Sequence, residues 1–532
     1  MGQNIFGLVI RAGVIFGSLT CFWGCQEESK NNSHTQVSDA SIRSGRKLAE
    51  KYCRSCHLLP EPGQLDARSW EDGVLPQMGP RLGIYGFGFK AYPSFRNDPY
   101  VPKGFYPQKS AISLEQWQHI IDYYSALAPD TLISSIPEVP IESGLNQFSK
   151  VDIPLEREGP RVSFVKIDPG FAPYTVLAYE QLGKQLYRID VSHKQVDSIS
   201  LAANIVDLSS QTDTLVALNI GVMTPNNGKF GTVLTLPLSN AGMKPGKPKL
   251  LLSGLRRPVR MIRNDFNRDG REDLLVCEYG HLEGSLSWFE RGADTGMVRH
   301  LIRESAGAIQ ADVRDLNGDG APDIVAQFAQ GDESIYAFIN DGSGNFTARL
   351  WLRFPPSYGS SSFELADFNG DGALDVLYTC GDNADYSVVL KPYHGIYIYL
   401  NDGKDNFRQA YFFHMNGCFK AMARDFDKDG DLDIAAIAFF ADYKNRPEEG
   451  FVYLQQDGAL AFKAFSHPDA QKGRWLTMDA GDMDGDGWMD IILGNFSAPA
   501  MDQTGAPAFH GPALLLLRNK ALQANIKPAV HP

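Results

Sequence analysis

Cys53-Arg54-Ser55-Cys56-His57 sets two thiols three residues apart and places an imidazole directly after the second. Over one helical turn two thiols can reach the two vinyl groups of a haem, and the adjacent histidine can then reach the iron. C-x-x-C-H therefore reads as a covalent haem c attachment site, with Cys53 and Cys56 as thioether donors and His57 as the proximal iron ligand. A thioredoxin-like dithiol would need a βαβ setting, which the flanking sequence lacks.

A second constellation is repeated five times. Asp265, Asn267, Asp269 and Asp273 occupy positions 1, 3, 5 and 9 of a nine-residue segment with Gly270 at position 6. Asp315, Asn317, Asp319 and Asp323 repeat the pattern, as do Asp367, Asn369, Asp371 and Asp375. Asp425, Asp427, Asp429 and Asp433 form the fourth copy, and Asp482, Asp484, Asp486 and Asp490 the fifth. Converging oxygens around a glycine turn suit a hard cation, and so many protein ligands favour calcium over magnesium. The final glutamate and flanking helices of an EF-hand are missing. Short β runs follow instead, such as Leu274–Val276 and Ile491–Leu493.

Elements must hold both chemistries in place. Apolar residues at helical spacing run from Ser41 into Cys53, and a second helix is expected from Ser113, its cap, to Pro129. Residues 38–130 resemble a small class I cytochrome c, a fold in which the first and last helices cross beside the haem. That resemblance implies a sixth iron ligand. Met78 is the expected one, with His119 as the alternative, and a thioether opposite histidine suits electron transfer. The aromatic and glycine-rich stretch 83–109 is expected as a loop over the haem.

The five acidic loops resemble the FG-GAP/VCBS repeats of integrin-type β-propellers, in which calcium staples the turn between the two innermost strands of a blade. Two strand-rich segments without ligands precede them, around Arg161–Ile189 and Ile205–Leu236. Five and two give seven blades over residues 161–520, closed by the apolar run Ala513–Leu517. The fold class expected is thus multidomain: a small all-α cytochrome c domain and an all-β propeller, joined by a proline-stiffened linker at 131–160. The propeller face opposite the loops carries Arg256, Arg257, Arg260, Lys420 and Arg474, which could receive an anionic ligand or glycan. A disulfide between Cys380 and Cys418 is left open.

The N-terminus reads as an address. Ala12–Gly24 is an apolar run too short to span a bilayer, so residues 1–24 read as a signal peptide. Phe22-Trp23-Gly24-Cys25 resembles a bacterial lipobox, which makes Cys25 the lipidation site and 25–37 a flexible tether; residues 521–532 read as a tail. Attachment to the outer membrane of a Gram-negative bacterium follows, on the periplasmic or the outer side. The 532 residues carry a net charge of −13, a poor match to nucleic acid. Five bound dications would leave about −3, so the acidity belongs mostly to the loops.

These features point to an exported electron-transfer lipoprotein with a partner-docking propeller and a redox partner protein. An oxidoreductase with its active site in the propeller funnel is the alternative, although no catalytic constellation is found. An adhesion or ligand-binding module with a haem sensor is the third reading.

Overall fold

The computed structural model describes residues 30–520 apart from 134–138, 156–157, 169–174, 212–213, 238–245, 294–295, 385 and 498–510. The signal peptide, Cys21, Cys25 and the tail lie outside the described residues.

Seven antiparallel sheets follow one another in chain order. Blades 1 and 2 run from Val162–Ile167 to Gln195–Ser200 and from Ile205–Gln211 to Lys249–Leu255. Blades 3, 4 and 5 begin with Pro258–Asn264, Ala308–Arg314 and Ser360–Ala366. Blades 6 and 7 begin with Cys418–Arg424 and Trp475–Gly481. Each seam between neighbouring blades holds its own cluster of buried apolar side chains, including the seam from blade 7 back to blade 1. The ring is therefore a closed seven-bladed β-propeller.

The second strands explain the sequence signal. Asp273–Glu278, Asp323–Phe328, Asp375–Cys380, Asp433–Ala438 and Asp490–Asn495 are buried at every position. Each lies between two strands of its own blade and under neighbouring blades, so apolar residues run on without alternation.

Ring closure differs from expectation. Leu514–Asn519 is only the third strand of blade 7. Its outer partner is Phe148–Val151, paired antiparallel with Asn519 opposite Phe148. Ile141–Ser143 adds a fifth, parallel strand to blade 6. The stretch expected as a linker thus clasps two blades. Phe148 anchors it, buried against the rings of Phe426 and Tyr453.

The described α-helices lie before the propeller: α1 (Asp39–Tyr52), α2 (Leu75–Met78) and α3 (Leu114–Leu127). Loops and a two-stranded hairpin, Gly86–Phe87 with Lys90–Ala91, complete this part, so it is not all-α. Ser38 caps α1, and Ser113 caps α3 in a capping box with Gln116. The two long helices cross at Gly45, where a Cβ would lie 1.8 Å from the His119 carbonyl oxygen. Trp70, Trp117, Ile120, Tyr123 and Tyr124 fill the core between them.

The end of the expected tether is also pinned. The Asn31 side-chain amide donates to the carbonyls of Ser125 (2.6 Å) and Ala128 (2.7 Å), which the end of α3 leaves without helical partners.

Removing the clasp's anchor is expected to be costly. Phe148→Ala should lower stability by about 3–5 kcal/mol through lost burial and a cavity. Leu350→Ala, on an exposed outer-strand position, should change it by less than about 0.5 kcal/mol. Urea midpoints of both variants check the contrast.

Candidate functional site

All five acidic loops join the first strand of a blade to its second, in blades 3 to 7. Two positions of each turn are left-handed. Position 6 is always glycine, with φ from 80° to 101°. Position 4 is Gly318, Gly370 or Gly485 in three loops, and Arg268 and Lys428 take the same conformation at φ 58° and 59°. This second requirement was not read from the sequence. The turn gathers amides around the first aspartate: Asp315 accepts from Gly318 and Gly320 (both 2.8 Å), and Asp367 accepts from Gly370 and Gly372 (both 2.8 Å).

The position-9 aspartates do something further. Asp273, Asp323, Asp375, Asp433 and Asp490 are fully buried. Asp323 accepts the backbone N–H of Leu316 in its own loop (2.8 Å) and of Asn340 at the end of the third strand (2.7 Å). Asp273, Asp375 and Asp490 repeat the bridge, and Asp433 makes it with Gln456 N–H (2.9 Å) and the Tyr453 hydroxyl (2.5 Å). The third-strand asparagines were missed. Asn340 and Asn519 donate onward to the carbonyls of Phe266 (2.9 Å) and Phe426 (2.7 Å), each in the preceding blade's loop. Asn-Asp-Gly at 340–342 and at 401–403 was the available signal.

The loops are not equivalent. In the first three, the position-3 asparagine amide donates to the position-5 carboxylate. In the last two, position 3 is aspartate. Asp425, Asp427 and Asp429 converge in one, with ligand atoms within 4.8 Å of one another, and Asp482, Asp484 and Asp490 converge in the other. Such carboxylates repel unless protonated or bound to a cation. Burial, then neighbouring carboxylates, push Asp433 and Asp490 up to about 7. Arg518 partly compensates Asp484 at 2.5 Å.

At the other site, Cys53 is the C-cap of α1, half-buried, while Cys56 is exposed. Both thiols are free. Burial pushes the Cys53 thiol up to about 11, with a smaller contribution from Cys56. The His57 ring hydrogen-bonds the Leu58 carbonyl through Nδ1 at 2.9 Å. Burial, the largest effect, lowers its basicity, which that hydrogen bond partly restores. Met78, Tyr52 and Cys53 pack against the same helical core. His119 is held at the helix crossing by its Nδ1 contact to Ser41 (2.6 Å).

The stretch 83–109 also makes contacts that the sequence did not suggest. Phe95 meets the His281 ring at 4.9 Å, Tyr100 meets Phe230 at 5.4 Å, and Asn227 donates to Asp98 at 2.8 Å. Just beyond His57, Gln64 accepts hydrogen bonds from Ser357 and Tyr393 (both 2.9 Å). The helical part thus sits on blades 2 to 5, opposite the acidic loops. The basic side chains of that face are engaged. Arg256 pairs with Glu283 (2.7 Å), Arg257 donates to the Gly280 carbonyl (2.6 Å), and Arg260 lies 3.6 Å from Asp207. Lys420 donates to the Met478 carbonyl (2.8 Å), and Arg474 is buried over the Phe439 ring. An anion would have to displace these partners. Cys277, Cys380 and Cys418 are buried free thiols, with no disulfide between the last two.

The FG-GAP-like repeat family matches residues 265–326, 315–378 and 425–493, which take in all five loops of the seven-bladed propeller. A T-cell immunomodulatory protein homolog from Plasmodium yoelii yoelii is 28% identical over 136 residues, 23% of this chain and 18% of the relative. The chain therefore matches less than a fifth of that curated relative's length. Among solved structures, a chain from the complex of BBS1N with ARL6DN aligns with a TM-score of 0.40 and 10% identity, over 69% of this chain and 98% of that one. A chain from the S. cerevisiae assembly of Dbp5 with Nup159 and Gle1 gives 0.39 and 9%, over 72% and 97%.

The buried aspartates set a pH dependence for protein stripped of divalent cations. Asp433 and Asp490 hold protons up to about pH 7 when folded, but only to about 3.8 when unfolded. Between these values the native state binds more protons, so stability falls as pH rises. Urea midpoints from pH 4 to pH 7 should decline, and Asp433→Asn with Asp490→Asn should flatten the decline.

Proposed function

We propose that this chain is an exported electron-transfer lipoprotein, carrying one covalent haem c and a calcium-braced propeller that docks a partner. The observation that carries the reading is the geometry around His57. A hydrogen bond from Nδ1 to the Leu58 carbonyl selects the tautomer that leaves Nε2 as the iron-binding nitrogen. Two unpaired thiols stand beside it at the end of α1, and the helix crossing at Gly45 buttresses that helix. These residues fit a covalent haem: Cys53 and Cys56 would hold it, with His57 and Met78 as iron ligands. The haem would supply a reversible one-electron couple. The chain's own residues would fix its position, exclude water from one side and set its potential through the second axial ligand.

Calcium fits the five loops, and its role there would be structural. It would neutralise carboxylates that turn geometry and blade packing force together, while the position-9 bridges pass the order on to the third strands. The lipid on Cys25 would tether the molecule to the outer membrane. A propeller with FG-GAP repeats is consistent with binding a partner or ligand, which supports a docking role for its exposed surfaces. The enzyme reading has less support, because the basic groups of the funnel face already have partners.

The test is expression of the exported chain with a haem-attachment system. Intact mass and the pyridine haemochrome spectrum should show one haem, lost in Cys53→Ala/Cys56→Ala. A colourless protein of bare polypeptide mass would overturn the reading. Met78→Ala should keep the haem, lower its potential and remove the thioether-to-iron band of the ferric protein.

A further inference from the structure

The hairpin of the helical part holds an aromatic ring out into solvent. Its strands, Gly86–Phe87 and Lys90–Ala91, are joined by Gly88 and Phe89. Gly88 takes φ 59°, which suits the first corner of a type II′ turn and leaves Phe89 at the tip. Phe89 is fully exposed, more so than any other large apolar side chain among the described residues. The stem below it is fixed. Ile84 and Tyr92 are buried in the helical core, the Tyr92 N–H donates to the Tyr85 carbonyl at 2.9 Å, and the Trp117 ring donates to the Tyr92 hydroxyl at 3.1 Å.

The tip lies on the side where the chain enters the helical part. The His34 ring hydrogen-bonds Glu71 at 2.6 Å, and the next residue, Asp72, pairs with Lys90 at 2.5 Å. Lys90 directly follows Phe89. Asn31, three residues before His34, is fastened to the end of α3. Asn31 also lies only six residues after Cys25. Such a length of chain reaches at most about 20 Å. An acyl chain on Cys25 would therefore keep this side of the molecule close to the bilayer.

We propose that Phe89 is a membrane finger: its ring enters the boundary between headgroups and acyl chains of the membrane that holds the lipid anchor. The inference rests on the lipid reading above. A flexible tether alone leaves the molecule free to turn, and a second, rigid contact fixes which side faces the bilayer. An aromatic ring gains burial at that depth, and Lys90 and Arg68, both beside Asp72 at the foot of the hairpin, suit anionic headgroups. The short tether keeps lipid near this ring at a high effective concentration, which a freely diffusing protein partner does not match.

The test places the lipidated chain in vesicles of phosphatidylethanolamine and phosphatidylglycerol, plain or brominated high on the acyl chains. Phe89→Trp should lose about half of its added emission in the brominated vesicles, because bromine quenches only rings that reach it. Leu114→Trp is the control. Leu114 is exposed at the start of α3, at the opposite end from the carbonyls that hold Asn31. The length of that helix separates the two by about 20 Å, and the control should lose less than about a tenth. Subtracting the parent removes the native tryptophans, and the ratio between vesicle types removes any quenching by haem. Equal emission of Phe89→Trp in both vesicle types, from protein that sediments with them, would overturn the proposal. Equal quenching at the two positions would do the same. Emission that shifts with protein concentration instead would assign the ring to a second copy and overturn it likewise. A parent chain that does not sediment with vesicles would defeat the lipid reading, and the finger with it.

Discussion

The structure depends on a buried carboxylate at the ninth position of each acidic turn. Asp273, Asp323, Asp375, Asp433 and Asp490 sit inside the propeller, an expensive place for a charge, and among the described residues no cationic side chain is bonded to them. Each is held by a backbone amide from its loop or a tyrosine hydroxyl, together with an amide at the end of the third strand. The aspartate thus ties the turn, the second strand and the third strand into one unit. Asn340 and Asn519 carry the tie to the preceding blade. In the Asp425 and Asp482 loops the carboxylates also crowd together, and that crowding creates the demand for a cation.

The opposite face has a different task. There the N-terminal part of the chain lies on blades 2 to 5 and contributes Gln64, Phe95, Asp98 and Tyr100 to the contact. The chain then passes to blades 6 and 7, where Ile141–Ser143 and Phe148–Val151 pair before blade 1 begins. Ring closure and seating of the helical part thus both fall to residues that precede blade 1 in the chain.

The repeated aspartates were legible in the residues, because they speak through spacing, which folding does not alter. The seven blades could be counted from the five acidic loops and the two strand-rich segments that precede them. The closing strand was not legible, because Phe148–Val151 is four residues long, lies among prolines and shows no run of alternation. The contacts of 83–109 were equally hidden, since Phe95 and Tyr100 have no periodicity and their partners lie more than a hundred residues away. The basic funnel was legible as composition only. Burial of Arg474 under Phe439 and the Lys420 bond to the Met478 carbonyl depend on the neighbouring blade.

The most direct measurement is a metal count on the folded chain: elemental analysis of protein dialysed against micromolar calcium and then against metal-free buffer. The account predicts about five calcium ions per chain after the first step, with the last to leave held by the Asp425 and Asp482 loops. A folded propeller holding no divalent cation after the first step would contradict it.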